Sequence, residues 1–461
     1  MNPLLEKAYY SCPVFIQNWA VSFLGRKLRK ERFNQAGKKM LAKLLESENQ
    51  PRDYIHSLQN EMFVKIARHA IKTTPFYSSW AINNNITESD IKSLADIKSF
   101  PVIEKKFIRE NASAFRSNDS LLALSQFIIS TSGTTGTPLT VYTDNNSRSD
   151  HYAFFSRLRL LYGVTELDKR ATLFGRMIML AEQKKPPFWR YDSANRNLLM
   201  SSYHLSDMNL VHYYKKLCDY KPQEIFAYPS SIYAIARYIV ANQLPPIQLK
   251  LIMTTAENLL PLQRDLISKA FNAPIVNQYG CTEMAFFCSD YPDGTMKFHP
   301  EHGIAEIRSE NDALSFTGSG ELVATGFINF SMPVIRYLVG DRIVLAEPDD
   351  AGRQQLSYVQ GRIDDVIYTI DGTPIGRLDP IFKGGSGIQF AQIYQANSGN
   401  IELRLVPDST YSSNHGEALK AELIKRVGAD MKIDIIICEK IEKEKNGKIK
   451  PVISHYKQIE H

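Results

Sequence analysis

Directly after an apolar segment, the chain reads Ser130-Thr131-Ser132-Gly133-Thr134-Thr135-Gly136-Thr137-Pro138. Two glycines let the backbone approach a ligand closely, and the hydroxyl and N–H groups form a donor-rich loop that suits phosphate oxygens. A Walker A loop requires Gly-Lys-Ser/Thr at its end, whereas Gly136 is followed by Thr137-Pro138. The stretch therefore predicts a phosphate-binding loop of another kind, and a Ser/Thr/Gly surface turn is the alternative.

Apolar runs alternate with amphipathic stretches from residue 124 to residue 280. The predicted strands lie at 124–129, 171–174, 224–228, 249–254 and 274–278, and the predicted helices lie at 147–162, 208–218, 230–241 and 261–271. Strands and helices that alternate in this way are typical of a parallel α/β sheet.

Short strands separated by glycines follow this region. Those at 303–308, 320–325, 341–346 and 355–360 predict an antiparallel β subdomain. Strands at 388–395, 401–406 and 432–438, with a helix at 416–426, predict a small α+β unit. A chain of 461 residues is long enough for two or three such packed units.

The charge of the chain is concentrated in one segment. The formal net charge of +6 is too small to predict a nucleic-acid partner. Residues 26–39 contain seven basic residues and one acidic residue, which accounts for the whole excess. They follow an apolar stretch that contains Trp19 and Phe23. We therefore consider weak contact of residues 12–39 with an anionic membrane surface, although a solvated helix face is the favoured alternative.

Five scattered cysteines without a CxxC pair predict reduced thiols rather than a disulfide framework or a structural zinc site. The apolar stretch at residues 12–24 is shorter than the about 20 residues of a membrane-spanning helix. Its cationic flank follows it, which is the reverse of a secretory signal. The sequence therefore predicts a cytoplasmic protein.

Five motifs in order resemble those of the adenylate-forming superfamily, which includes acyl-CoA ligases and peptide-synthetase adenylation domains. The motifs are the 130–138 loop, Asn277-Gln278-Tyr279-Gly280-Cys281-Thr282-Glu283, Arg336-Tyr337 through Gly340-Asp341, Gly361-Arg362-Ile363-Asp364-Asp365 and Asn446-Gly447-Lys448. Tyr228-Pro229-Ser230-Ser231 resembles the phenylacetate-CoA ligase branch. The tract at 379–384 is similar to CapK-type proteins, which are associated with capsular polysaccharide biosynthesis.

The resemblance implies a large N-terminal domain over residues 1–362 that binds ATP and an acid. It also implies a small mobile C-terminal domain over residues 363–461 that carries a catalytic lysine. The implied reaction activates a carboxylic acid with ATP to an acyl-adenylate and releases pyrophosphate. The acyl group then passes to an acceptor, which is a CoA thiol or an amine, hydroxyl or carrier thiol.

The resemblance also assigns catalytic roles. Glu283 would hold Mg²⁺ beside the α-phosphate, because Mg²⁺ favours carboxylates together with phosphate oxygens and water. Thr282 would donate its hydroxyl to the α-phosphate. Lys448 would neutralise charge that develops between the acid and the α-phosphate, a contribution made mainly in the transition state. Taken alone, the segment around Lys448 is typical of a charged turn.

Further residues are assigned to the nucleotide, the acid and the hinge. Asp341 would accept hydrogen bonds from the ribose hydroxyls with support from Arg362, and Asp364 would be the hinge. Thr255-Ala256-Glu257 would line the adenine pocket or, equally, form a helix N-cap with Glu257 in the first turn. The predicted nucleotide contacts also include Ser132, Gly133, Thr134, Thr135, Gly136, Ala256, Glu257, Asn277, Gln278, Tyr279 and Gly280. The predicted acid pocket contains Tyr228, Pro229, Ser230 and Phe286.

Two points remain open at the level of sequence. Leu139 stands where many relatives carry a lysine, so pyrophosphate contacts would be weaker or would come from elsewhere. A catalytically inactive nucleotide-binding assembly partner is the alternative function. The chain has no GxSxG, HExxH or GxGxxG motif, which disfavours serine hydrolase, zinc protease and dinucleotide-binding functions.

Overall fold

The computed structural model describes residues 8–130, 139–175, 178–180, 183–362, 367–370, 374–375, 378, 381, 387–397, 399–428, 430–442 and 449–456. None of the helices in these ranges is long and apolar enough to cross a membrane.

Helices dominate the first 125 residues. They are α1 (Val14–Arg32), α2 (Gln35–Ser47), α3 (Arg52–Thr73), α4 (Pro75–Asn83), α5 (Lys105–Glu110) and α6 (Ser120–Ala123), with strand β1 (Ile103–Glu104) and 3-10 turns at Glu88–Asp90, Leu94–Ser99 and Ala112–Phe115. The break between α3 and α4 is encoded locally. Thr74 is extended because a proline follows it, and its side chain accepts from the Tyr77 N–H of the next helix.

Two strands that pair as a hairpin lie on either side of residues 131–138. Strands β2 (Gln126–Ser130) and β3 (Thr140–Asp144) pair antiparallel, and helix α7 (Asn145–Leu161) follows. The prediction that the strand at 124–129 belongs to the parallel sheet is therefore wrong. Its link to the next strand is too short for the crossover that parallel strands need, so an antiparallel hairpin forms instead.

The central sheet has eight strands within the described residues. They are β4 (Arg170–Phe174), β5 (Trp189–Asp192), β6 (Asn197–Ser201), β7 (Glu224–Ala227), β8 (Leu251–Thr255), β9 (Ile275–Gly280), β10 (Phe287–Asp290) and β11 (Met296–Phe298), in the order β11-β10-β9-β8-β7-β4-β6-β5. The five from β9 to β6 are parallel, and the outer three are antiparallel. Helices α8 (Asp207–Tyr220), α9 (Pro229–Ala241) and α10 (Pro261–Phe271) connect strands of this sheet. The predicted parallel α/β sheet is confirmed, whereas β5, β6, β10 and β11 are absent from the prediction.

A second sheet forms the predicted β subdomain. Its strands are β12 (Gly303–Arg308), β13 (Leu314–Ser315), β14 (Gly318–Gly326), β15 (Tyr337–Leu345) and β16 (Leu356–Arg362), together with β1. All pairs are antiparallel except β1 with β15. A hydrophobic cluster that includes Phe63 and Tyr337 packs this sheet against the N-terminal helices.

The C-terminal residues form the predicted α+β unit. It contains the pair β17 (Ile367–Tyr368) and β18 (Pro374–Ile375), a sheet of β19 (Ile388–Asn397), β20 (Asn400–Pro407), β21 (Lys432–Ile437) and β22 (Val452–Ser454), and helix α11 (Ser413–Val427). A hydrophobic cluster around Ile393, Leu403 and Leu423 fills it. The predicted fold class is confirmed, and the division at residues 362 and 363 stays a prediction.

Candidate active site

Several predicted site residues lie outside the described residues. They are Ser132, Gly133, Thr134, Thr135, Gly136, Asp364 and Lys448. The backbone of Arg362 is described, but its side chain is not. The site is therefore built from the other residues, and the roles assigned to these eight stay predictions.

The motif that ends in Glu283 begins within strand β9 and continues three residues beyond its end. Thr282 is exposed, whereas Glu283 is only 3% exposed. The Tyr337 hydroxyl donates to Glu283 Oε1 at 2.6 Å, and the Lys105 ammonium lies 3.4 Å from the same oxygen. Burial, and then the Glu283 charge, raise the pKa of Tyr337 well above its usual value, so the phenol stays protonated and donates. Two donors thus compensate a buried carboxylate.

The second acidic group of the site is Asp341 on β15. The Tyr279 hydroxyl donates to Asp341 Oδ2 at 2.6 Å, which links the end of β9 to the second sheet. Burial, and then Asp341, raise the pKa of Tyr279 well above its usual value. In the strand register, Asp341 pairs with Arg362 of β16. Three of the sequence motifs therefore meet at one place.

Glu257 joins two parts of the chain. It accepts hydrogen bonds from the Ser230 N–H at 2.9 Å and the Ser230 hydroxyl at 3.1 Å. It also accepts from the Ile449 N–H at 3.4 Å, and Ile449 directly follows Lys448. The alternative that residues 256–257 begin a helix is wrong: Leu260 is the N-cap of α10, because Pro261 occupies its first turn. Ala256 is instead a left-handed turn residue with φ of 71°.

The carboxyl edge of the parallel sheet carries further polar residues. Asn277 accepts from the Thr254 hydroxyl at 2.8 Å, and this pair lies on one face. Thr255 and Gln278 are the next registered pair and lie on the opposite face. Gln278 is 3% exposed, and neither its Oε1 nor its Nε2 has a hydrogen-bond partner among the described residues. Gly280 ends the strand and is exposed.

Aromatic residues share the face of Gln278. Phe226 on β7 and Val276 on β9 both pair with the same residue of β8, so their side chains lie on the same face of the sheet. Gln278 lies two residues after Val276, on the same face and closer to the carboxyl edge. The ring of Phe174 packs on those of Phe226 and Tyr228, at 4.8 and 5.0 Å between centroids. Ligands of open α/β sheets bind outside the carboxyl ends of the strands. This face is therefore a candidate acid pocket.

The structure places the four predicted pocket residues in two environments. Tyr228, Pro229 and Ser230 begin α9 at the carboxyl edge of the sheet. Phe286 is 1% exposed and packs between Tyr279 and Phe298 in a hydrophobic cluster. Its role in the pocket stays a prediction.

Sequence reasoning missed Lys105, Phe174 and Phe226. Phe174 ends a predicted strand and Phe226 lies within one, so their position near strand ends was the available signal. Lys105 lies in a run of charged residues far from Glu283 in the sequence. Nothing in the sequence indicates that these two side chains meet, although a contact supplied from elsewhere is one of the two alternatives that Leu139 leaves open.

Glu283 is suited to Mg²⁺ only as one ligand among several. Among the described residues, no cluster of three or more His, Cys, Asp or Glu side chains could hold a metal ion. The hydrogen bond from Tyr337 falls on Oε1, and no described residue makes a hydrogen bond to Oε2 of Glu283. Because Mg²⁺ is often held by one or two carboxylates plus substrate phosphates, the donor set fits an ion that arrives with a nucleotide.

Comparisons with known proteins show which proteins the chain is similar to. Residues 367–455 match the family model described as the CapK C-terminal domain. Protein CapK of Staphylococcus aureus is 29% identical, over 98% of this chain and 100% of that protein. Phenylacetate-coenzyme A ligase of Aromatoleum evansii is 24% identical, over 69% of this chain and 73% of that protein.

A solved structure shares the fold. The 2-hydroxyisobutyryl-CoA ligase in the postadenylation state, in complex with R3-HIB-AMP, has a TM-score of 0.65 at 18% identity, and the match covers 87% of this chain and 89% of that one. Taken together, the chain is similar to CapK over nearly its whole length, is similar to a phenylacetate-coenzyme A ligase over about two thirds of it, and shares the fold of a CoA ligase.

Proposed function

We propose that this protein uses ATP to activate a carboxylic acid as an acyl-adenylate, with release of pyrophosphate. The observation that carries the proposal is the position of Glu257. It contacts Ser230 at the candidate acid pocket and Ile449, the residue after the predicted catalytic lysine. One carboxylate thus contacts both the candidate acid pocket and the residue that follows the predicted lysine.

The described residues support a nucleotide site beside this carboxylate. Asp341, held by Tyr279, has the acceptor oxygens that a ribose diol needs. The exposed Thr282 hydroxyl is available to a phosphate oxygen. Mg²⁺, held by Glu283 and the phosphates, would neutralise charge on the reacting phosphate. Lys105 lies at the same place and would contribute the cation that position 139 lacks.

The acid pocket indicates the class of substrate. Its walls are the rings of Phe174, Phe226 and Tyr228, which suit an apolar or aromatic body. The amide of Gln278, which has no hydrogen-bond partner among the described residues, lies on the same sheet face, and leaving a buried amide unsatisfied costs about 1 to 3 kcal/mol. We therefore propose an acid with an apolar body and one hydrogen-bonding substituent that pairs with Gln278.

The acceptor in the second step is proposed from the relatives. Two of them are named as phenylacetate-coenzyme A ligases, which favours the CoA thiol. The similarity to CapK keeps an amine, hydroxyl or carrier thiol as alternatives.

All five cysteines are free in the structure, which supports a reaction in the reducing cytoplasm.

The decisive experiment is acid-dependent exchange between ATP and pyrophosphate, across a panel of aryl, fatty, hydroxy and amino acids. We expect exchange with a subset of acids and a drop of about a hundredfold for Lys448→Ala. Lys440→Ala, which changes an exposed lysine of the same C-terminal unit, is the matched control. Binding of ATP without exchange for any acid would instead favour the inactive assembly partner.

A second measurement identifies the acceptor. With an acid that supports exchange, we compare formation of the CoA thioester with trapping of the acyl group by hydroxylamine. Thioester formation supports CoA. Hydroxamate without thioester would show that the adenylate forms and that CoA is the wrong acceptor, so this result separates the two steps.

A further inference from the structure

The outer face of helix α1 carries exposed aromatic side chains. Phe15, Trp19 and Phe23 are 72%, 69% and 63% exposed. They are spaced four residues apart, so they lie on one face, and the rings of Trp19 and Phe23 stack at 6.0 Å between centroids. Large apolar side chains that cluster on the surface commonly mark an interaction site.

Basic side chains continue the same face toward the end of the helix. Arg26, Lys27 and Lys30 are exposed, and within the described part of the chain none of them forms an ion pair. At about 100° per residue, Arg26 and Lys30 lie inside the arc of about 80° that the aromatic residues span. We call Phe15, Trp19, Phe23, Arg26, Lys27 and Lys30 the α1 outer face.

The acidic residue of this segment points elsewhere. Glu31 accepts from Arg148 Nη1 at 2.7 Å, on the side of α1 that packs on α7. The α1 outer face therefore has no carboxylate of its own, and no acidic side chain in the described part of the chain pairs with its basic residues. Two copies of such a face would repel each other, which disfavours a symmetric dimer and favours an anionic partner.

The inner side of α1 is fixed to the central sheet. Asn18 accepts from the Tyr191 N–H at 2.9 Å, and Gln17 accepts from Arg190 Nε at 2.5 Å. Gly25 packs so closely on Asp192 that a Cβ would lie 2.3 Å from its carboxylate. These contacts prevent the helix from rotating to bury its aromatic side chains.

We propose that the α1 outer face docks on an anionic lipid surface. Aromatic side chains beside lysine and arginine are the composition of helices that lie in a membrane interface. The rings would enter the headgroup region, and the long basic side chains would reach the lipid phosphates. The surface lies on the N-terminal helix and is independent of the proposed reaction.

The test uses the full chain and sucrose-loaded vesicles of phosphatidylcholine, with or without about one third phosphatidylglycerol. We expect cosedimentation only with the anionic vesicles and release at high salt. Because each basic side chain near such a surface contributes about fivefold to partitioning, the Lys27→Ala/Lys30→Ala double variant should bind about 25-fold more weakly. The Trp19→Ser/Phe23→Ser double variant should also lose binding.

The matched control changes one apolar and one basic exposed residue on another helix, as Leu262→Ser/Lys269→Ala on α10. Tryptophan emission of the unaltered protein should shift to the blue with anionic vesicles, and Trp19→Ser should abolish the shift, because Trp80 and Trp189 lie outside the α1 outer face. No shift and no cosedimentation, or equal binding by the Lys27/Lys30 variant, would overturn the proposal. Self-association that Trp19→Ser abolishes, seen by ultracentrifugation without lipid, would show that the face is a dimer interface instead.

Discussion

Replacing Tyr279 with phenylalanine tests whether the hydrogen bond to Asp341 prepares a ribose site. The change removes only the hydroxyl that donates to Asp341 Oδ2 at 2.6 Å. The ring is retained, and its packing on Phe286 at 4.8 Å between centroids does not depend on the hydroxyl. We expect a folded protein with weaker ATP binding.

The expected loss of ATP binding follows from the charge and the exposure of Asp341, which accepts the hydrogen bond. A hydrogen bond to a charged group contributes about 1.5 to 3 kcal/mol. Asp341 is half-buried, so water replaces part of the lost bond. We therefore expect a loss near the lower limit, about 1.4 kcal/mol, which is a tenfold increase in the Kd for ATP.

Equilibrium dialysis with ATP measures this Kd without knowledge of the acid. Tyr220→Phe is the matched control, because its hydroxyl also donates at 2.6 Å, to the Arg196 carbonyl before β6, at the amino edge of the sheet. Asp341→Asn should weaken binding at least as much as Tyr279→Phe. If Asp341→Asn weakens binding and Tyr279→Phe does not, Tyr279 has no positioning role. If neither changes the Kd, the ribose assignment is refuted.

Three further changes test charge and stability. Lys105→Met should lower acid-dependent exchange about tenfold or more, whereas the exposed neighbour Lys106→Met should not. Arg336→Met leaves the buried Glu306 carboxylate without its partner, now at 2.7 and 3.0 Å, and should lower the free energy of unfolding by about 3 to 5 kcal/mol in urea denaturation. Burial, and then a neighbouring carboxylate, raise the pKa of Asp150 to about 7. Because the unfolded pKa is about 3.9, the folded protein binds the proton more tightly and loses stability as pH rises from about 4 to 7. Asp150→Asn should therefore raise Tm at pH 8 and leave it nearly unchanged at pH 4, and an equal gain at both would contradict this.

Local signals made some elements predictable from the sequence. Helix α10 has the predicted bounds because Pro261 begins it and Asn272 ends it in a left-handed conformation with φ of 40°. Strand β12 also has its predicted bounds. Pairing between distant segments was not predictable in this way. β1 pairs with β15 across more than two hundred residues, and no turn or periodic pattern encodes that contact.

The candidate site shows the same difference between features that the local sequence encodes and contacts between distant segments. The resemblance to the family's motifs implies Glu283 and Asp341 as site residues, but the partners that compensate them come from tertiary packing. Tyr337 reaches Glu283 from the second sheet, and Lys105 reaches it from the N-terminal helices. A buried carboxylate requires such donors, so the sequence indicates that they exist without indicating which residues they are.

The contacts of Glu257 bear on the predicted movement of the C-terminal unit. Its two hydrogen bonds to Ser230 lie within the large N-terminal part, whereas the bond from Ile449 is long, at 3.4 Å. The rings of Tyr233 and Phe390, a second contact between the two parts, are 6.4 Å apart. Breaking the hydrogen bond from Ile449 costs about 0.5 to 1.5 kcal/mol. Because both hydrogen bonds from Ser230 would remain, Glu257 would keep its orientation if Ile449 moved away, so we expect the acid side of the site to survive a movement of the C-terminal unit.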